Sequence, residues 1–346
     1  MKYTIKIGNP RLLEVGLELR VPDEANLIAK ELNQKAIPAI AKDTLLAEQI
    51  EKAVQQLPST HELIVDDSRS ALASIPDASV HLVVTSPPYW TLKEYVNAEG
   101  QLGFVDDYDE FLDQLDDVWR NVYRVLVPGG RAVIVVGDVC LSRRQYGRHV
   151  VFPLHASIQD RCRKIGFDNL APIIWHKISN AQTEVSRSSS FLGKPYEPNG
   201  IIKHDIEYVL FERKPGGYRK VDLPTRLLSV IPEERHKEWF QQIWSIGGAS
   251  TKDHPAPYPL ALAERLVRMF SFVGDVVLDP FSGTGTTSLA AARWGRNSIG
   301  VEVVQEYVEI AKARLLKEVK TFSLRFPNSG SGIRKDRTGR LPQKAV

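Results

Sequence analysis

The chain of 346 residues holds only two cysteines and two methionines, and no apolar run in it is long enough to cross a bilayer. A span would need roughly 20 such residues in succession. Cys140 and Cys162 have no partners at metal-ligand spacing, so no metal site is expected. Two cysteines also make a disulfide framework implausible and fit a reducing compartment. The opening MKYTIKIGNP lacks the apolar core of a signal peptide. The expectation is a cytoplasmic, metal-free protein without a membrane segment. Charge of one sign is scarce too: the net value is +3, which by itself points to no partner. With 43% hydrophobic and 25% charged residues, the composition is that of a globular protein with a substantial core.

The basic excess gathers late in the sequence. After Phe326 stand Arg334, Lys335, Arg337, Arg340 and Lys344 against Asp336, among Gly, Ser and Pro. Residues 321–346 therefore read as a flexible basic tail, either solvated or tracking phosphate. Residues 1–60 read as a helical extension. In it Leu46, Ile50, Val54 and Leu57 form an amphipathic stripe whose expected role is packing. From residue 61 strands and helices alternate. HELIVDD (61–67), HLVVTS (81–86) and RAVIVVGD (131–138) read as strands. FLDQLDDVWRNVYRVL (111–126) reads as a helix stopped by Pro128-Gly129-Gly130, with Phe111, Leu115, Val118, Val122 and Leu126 on one face. The alternation predicts an α/β fold with a doubly wound, mostly parallel sheet. Residues 61–178 and 250–320 form its two halves. Between them, 179–249 is loop-rich, interrupted by the strand-like IEYVLFERK (206–214), and reads as an inserted recognition region rather than sheet.

Two motifs carry chemistry. In VVLDPFSGTGTTSLAAARWGRNSIGVE (276–302) a strand enters a glycine turn and then a helix, and Glu302 ends the next strand. Glycines let a ligand approach the backbone, and an acid at the second strand's tip can accept both hydroxyls of a ribose. Ser288 stands where a dinucleotide fingerprint needs its third glycine, which disfavours a dehydrogenase. Asp279 within the turn would repel a pyrophosphate but hold a cationic amino-acid tail. A nucleoside with a zwitterionic or cationic end is the ligand implied, and S-adenosylmethionine has that form. The second motif, Ser86-Pro87-Pro88-Tyr89, follows a buried strand. Two prolines keep the chain extended and remove two N–H donors. What remains is an acceptor edge beside an aromatic face, suited to a planar group bearing an exocyclic amine.

The order of these motifs, TSPPY first and DPFSGTGTT last, resembles the β class of amino-methylating DNA methyltransferases of restriction-modification systems. VLVPGGRAVIVVGD, APIIWHK (171–177), IEYVLFERK, HPAPYPLALAERLV and GVEVVQEYVEIAKARL fall in register with it over most of residues 62–318. The resemblance implies a Rossmann-like methyltransferase core with circularly permuted motif order, S-adenosylmethionine as cofactor and double-stranded DNA as substrate. It leaves open a cognate restriction endonuclease acting on the same site. It also implies residue roles. Asp279, Pro280, Phe281, Gly283, Thr284, Gly285 and Thr286 would form the cofactor loop, with Glu302 on the ribose. Asp67 and Ser68 would lie near the adenine, and His254, Pro255 and Tyr258 near the methionine end, with Thr85 a further cofactor contact. Ser86, Pro87, Pro88 and Tyr89 would hold the target amine, and 179–249 falls where the class places target recognition.

The chemistry asks for such residues. An exocyclic amine is a weak nucleophile because its lone pair is delocalised into the ring. Acceptors at Ser86 Oγ and the Pro87 carbonyl would draw the nitrogen toward sp3 and turn its lone pair toward the methyl donor, with no covalent intermediate. Carbon methylation would need a cysteine on this loop, and none is there. The target base must leave the stack, and Tyr89, with Trp90, could replace the lost stacking. Phosphate contacts are expected from Arg143, Arg144, Arg148, Lys177, Arg187, Lys194 and Lys203. From Ser at the head of the tetrapeptide the resemblance implies cytosine N4 over the alternative, adenine N6. A protein or RNA methyltransferase would carry its glycine loop before its Pro-Pro loop, and a non-catalytic DNA-binding module would not need an intact tetrapeptide.

Overall fold

The computed structural model of the chain describes residues 1–7, 20–32, 35–92, 96, 98–177, 204–249, 257–325 and 332–336. Its strands are β1 (Lys2–Ile7), β2 (Ser59–Val65), β3 (Val80–Thr85), β4 (Leu126–Val136), β5 (Val139–Leu141), β6 (Val150–Phe152), β7 (Asp168–His176), β8 (Ile206–Arg213), β9 (Ile243–Ser245), β10 (Val276–Asp279), β11 (Asn297–Glu302) and β12 (Gly332–Asp336). Ten of them form one sheet in the order β12-β1-β2-β11-β10-β3-β4-β8-β7-β9, and β5 pairs with β6 apart from it. The centre, β2-β11-β10-β3-β4, is parallel throughout. The doubly wound α/β fold expected from the alternation is present.

Burial on both faces explains the unbroken apolar runs. In β3, Leu82, Val83 and Val84 are all fully buried. Val83 faces a core built with the helices Tyr108–Val125 and Leu154–Ile165. Leu82 and Val84 face another, built with Leu260–Phe270 and Thr286–Arg293. The stripe Phe111, Leu115, Val118 and Val122 is buried in the first of these cores, and Asp107 caps its helix by accepting from Glu110 N at 2.8 Å. That helix ends at Val125, and β4 already begins at Leu126 and runs through Pro128-Gly129-Gly130. Val127 cannot stay helical before a proline. Gly129, at φ +79°, lets the strand kink rather than stop.

Three segments depart from the sequence reading. First, Lys2–Ile7 is a strand antiparallel to β2 rather than part of a helical extension. Its alternation buries Tyr3, Ile5 and Ile7 against Val308, Ala311 and Leu315 of the helix Gln305–Arg325. The rest of 1–60 does pack helices, and Leu46, Ile50, Val54 and Leu57 are buried with Leu227 and Leu228. Second, two strands inside the expected recognition region sit within the sheet: β9, parallel to β7, and β8, antiparallel to both β4 and β7. In β8, Val209 and Leu210 are fully buried, because each faces a different one of the two cores that cover the sheet. Third, Gly332–Asp336 in the expected flexible tail pairs antiparallel with β1. β1 would otherwise present a row of unpaired backbone groups, which this segment satisfies.

The connections locate the site. β10 leads through Thr286–Arg293 to β11 on one side, and β3 leads through Tyr108–Val125 to β4 on the other. The winding reverses between β10 and β3, and a crevice opens at such a switch point beyond the carboxyl ends of the strands.

At the far end of the sheet, Glu212 on β8 is completely buried. Burial pushes its carboxyl up to about 8, outweighing the Gln159 amide beside it. The folded protein holds this proton, whereas the unfolded chain releases it near the ordinary 4.5. Stability from this group is complete below that value and is lost as pH rises, at up to about 1.4 kcal/mol per unit until roughly pH 8. Urea midpoints measured from pH 5 to 9 should fall for the wild type and flatten for Glu212→Gln; equal slopes would contradict the assignment.

Candidate active site

Asp279 ends β10 and is 1% exposed. Its Oδ1 accepts from Thr85 Oγ1 at 2.6 Å and from Phe281 N at 3.1 Å. Its Oδ2 accepts from Thr287 Oγ1 at 2.7 Å and from the Tyr258 hydroxyl at 3.2 Å. Burial pushes this carboxyl above the usual carboxylate range, and the donated hydrogen bonds pull it back. The sequence had suggested that Asp279 would hold a cationic ligand tail. The structure instead surrounds it with the chain's own donors and makes it a strut between β3, the glycine turn and the helix after it. Thr85 and Tyr258 belong to that strut.

The turn that follows is shaped by glycine. Gly285, at φ +78°, precedes the helix Thr286–Arg293. A Cβ there would lie 2.7 Å from the Cβ of Ala311, so neither backbone nor space admits a side chain. Gly283 N donates to Glu302 Oε2 at 2.9 Å, and Val304 N donates to Oε1 at 2.9 Å. Burial pushes the Glu302 carboxyl up to about 7, against the pull of these backbone donors. Thr284 and Thr286 face Arg314, whose Nη1 lies 3.1 Å and 3.2 Å from their hydroxyls.

Next to the turn lies a cavity of about 590 Å³, open mouth included. Asp67, Ser68, Pro280, Phe281 and Glu302 line it together with Ser86, Pro87 and Pro88. Residues more than two hundred positions apart in sequence thus share one space. Ser68 Oγ donates to the Pro280 carbonyl, which ties the end of β2 to the turn. Asp67 caps the short helix Ser68–Ala71, accepting from Arg69 N at 2.8 Å. Gly100 closes over Asp67 so tightly that a Cβ would meet its Oδ2 at 2.5 Å.

Other lining residues escaped the sequence reading: Gly100, Gln101 and Leu102, Val118, Val303 and Tyr307. Val118 had been identified as core. Tyr307 sits five residues past Glu302 with nothing in its surroundings to mark it. Two acids, two aromatic rings and a backbone cradle fit a nucleoside better than a phosphate-rich ligand, since no basic side chain lines this cavity among the described residues.

Tyr89 and Trp90 are the two rings expected as stacking faces. Both are 5% exposed. Trp90 Nε1 donates to the Val105 carbonyl at 2.7 Å, and its ring packs edge-on against Tyr108 and Phe152. These anchors hold Trp90 at φ +47°, a left-handed conformation that costs a non-glycine residue about 1 kcal/mol. Tyr89 points its hydroxyl at Ser86 Oγ, 3.3 Å away, and at Glu207 Oε2, 3.1 Å away. Lys177, expected at phosphate, pairs with Glu207. Arg144 and Arg148 are exposed, as phosphate contacts would require. Arg187, Lys194, Lys203, His254 and Pro255 lie outside the described residues, as does the side chain of Arg143.

The Gly285 geometry yields a test. Gly285→Ala should cost about 1–3 kcal/mol from the backbone alone, with the clash at Ala311 in addition. Adding Ala311→Gly should recover only part of the loss in thermal midpoint; full recovery would show that φ is not limiting.

Comparison with known proteins follows the same lines. The DNA methylase family model, of N6 and N4 methyltransferases, matches residues 80–313. The type II methyltransferase M.MjaI of Methanocaldococcus jannaschii is 36% identical over 79% of this chain and 98% of its own length. M.MthZI of Methanothermobacter thermautotrophicus is 32% identical over 76% and 79%. A Thermus thermophilus protein described as a putative DNA modification methylase, solved in complex with S-adenosyl-L-methionine, is 59% identical with a TM-score of 0.62. That match covers 74% of this chain and 93% of the other. The cytosine-N4-specific PvuII DNA methyltransferase, 23% identical with a TM-score of 0.55, covers 77% and 92% and shares the fold. With a family match over most of its length and relatives of this closeness, the chain belongs to the N6/N4 DNA methylase family.

Proposed function

We propose that this protein is a site-specific DNA methyltransferase that transfers a methyl group from S-adenosylmethionine directly to N4 of a flipped-out cytosine. The observation that carries this reading is the shared cavity, lined both by the acceptor edge of Ser86 and Pro87 and by Glu302, Asp67 and Phe281. The Thermus thermophilus structure holding S-adenosyl-L-methionine supports the cofactor, and the type II relatives support DNA as substrate. A restriction endonuclease acting on the same site would be the partner of such an enzyme.

When bound, the cofactor supplies an electrophilic methyl group on its sulfonium. Glu302 would accept from the ribose hydroxyls, its carboxylate retaining lone pairs beyond those used by Gly283 and Val304. Asp67 and Ser68 would face the adenine, and Phe281 would lie against it. Ser86 Oγ and the Pro87 carbonyl would accept the two N–H bonds of the target amine and aim its lone pair into the cavity. The prolines leave this edge without competing donors. Arg144 and Arg148, exposed beside β5 and β6, would contact phosphate and contribute affinity without sequence information. Ser86 in place of Asp or Asn is the feature that favours cytosine.

Two experiments test this. Incubating duplex DNA with the protein and S-adenosylmethionine, then digesting to nucleosides, should release N4-methylcytosine, and Ser86→Ala should cut the rate about 10²-fold or more. N6-methyladenine as the sole product would overturn the choice of base. Cofactor affinity measured calorimetrically should weaken as pH falls through 7, approaching about tenfold per unit, because protonation of Glu302 removes the ionised acceptor. Glu302→Gln should bind weakly at every pH; a pH-independent wild type would contradict the ribose assignment.

A further inference from the structure

Behind the acceptor edge runs a chain of polar groups. Ser86 Oγ donates to the Tyr89 hydroxyl at 3.3 Å, and that hydroxyl donates to Glu207 Oε2 at 3.1 Å. The other carboxylate oxygen, Oε1, pairs with the Lys177 ammonium. Lys177 follows β7 and rests over the Trp175 ring at 4.8 Å. Glu207 stands near the start of β8, its side chain 11% exposed. The room for it comes from Gly137 just past β4, where a Cβ would lie 3.1 Å from Glu207 Cγ.

The direction of these hydrogen bonds follows from chemistry. A carboxylate paired with an ammonium only accepts. The Tyr89 hydroxyl must therefore give its proton to Glu207 and offer its oxygen to Ser86. Ser86 in turn spends its single proton on Tyr89, and only lone pairs remain on the side facing the cavity. Without this bias the Ser86 hydroxyl is free to turn its proton toward the incoming amine, where donor would meet donor. Hydrogen bonds of this length at a reacting site commonly shorten once the substrate is in place.

We propose that Glu207, held by Lys177, is a positioning residue that acts through Tyr89 to fix Ser86 as an acceptor for the target amine. The inference rests on the methyl-transfer reading of the cavity. It assigns the Tyr89 hydroxyl to relaying polarity, a role separate from what the face of its ring meets. Glu207→Gln should invert the wire. The new amide donates to Tyr89, Tyr89 then donates to Ser86, and the Ser86 proton is turned toward the substrate.

The test is a double-mutant cycle on methyl transfer to duplex DNA, with cofactor affinity measured alongside. Glu207→Gln is expected to lower kcat by roughly 10²-fold while cofactor Kd and the KM for DNA stay within about twofold. Tyr89→Phe should cost less, because it cuts the wire without reversing it. Adding Glu207→Gln to Tyr89→Phe should then cost no more than about threefold further, a strong non-additivity. Glu207→Asp, which keeps the charge, should recover part of the rate. Multiplicative effects, or a Glu207→Gln enzyme within about threefold of wild type, would overturn the proposal. If Glu207→Gln loses cofactor binding altogether, Lys177→Met takes its place in the cycle and must show the same dependence on Tyr89. A wild type that transfers no methyl group, or a silent Ser86→Ala, would instead sink the reading of the cavity. An active wild type whose Ser86→Ala variant has lost methyl transfer and whose Glu207→Gln variant is unaffected sinks this inference alone.

Discussion

One buried carboxylate holds the two halves of this protein in register. Asp279 receives hydrogen bonds from the last residue of β3, from the backbone of the glycine turn, from the helix behind it and from Tyr258 ahead of Leu260–Phe270. A carboxyl group with no water to solvate it costs several kcal/mol unless such donors surround it. The segments therefore cannot drift apart independently. Ser86 follows Thr85 directly, and Pro280 and Phe281 follow Asp279. The strut thus sets the spacing between the acceptor edge and the ligand-facing turn, although 194 residues separate its two strands.

Around this strut the sheet is arranged as a switch between two windings. β10 and β11 bring the glycine turn and Glu302 to the crevice, and β3 and β4 bring the Pro-Pro loop and Gly137. β8, antiparallel to both neighbours, enters from the opposite direction, so its first residues rather than its last arrive at the crevice. That reversal delivers Glu207 to Tyr89 at one end of the strand and buries Glu212 at the other. A single short strand thus carries one carboxylate that is paired and one that is kept neutral by burial.

Much of this was legible in the sequence because the signals were local. Apolar runs gave β3, β4 and β10, a 3.6-residue stripe gave Tyr108–Val125, and glycine spacing placed the turn beside Glu302. Asp67, Ser68, Ser86, Pro87, Phe281 and Glu302 do line one cavity. What escaped depends on tertiary closure. Tyr307 and Gly100 reach the site from a helix and a loop whose composition is unremarkable. IEYVLFERK was recognised as a strand, but membership of the sheet depends on what pairs with it. The partners of the Tyr89 hydroxyl could not be read either, because an aromatic after two prolines has no pattern telling which way it turns. The charge of Asp279 is visible in a sequence, whereas the donors that surround it are not. The alternation in KYTIKI was visible too, yet a strand at that position needs β2 and Gln305–Arg325 to give it a face.

The position of β10 between β3 and β11 also bears on how the molecule is made. β3 and β4 leave the ribosome early, whereas the strand that closes the open side of β3 ends at residue 279. At roughly 5–20 residues per second, about 10 to 40 s pass between them. During that interval Leu82 and Val84 lack the helices that cover them, and the edge of β3 is an open template for any other strand. The nascent chain thus carries an open sheet edge for more than half of its synthesis, until β10 and the glycine turn emerge.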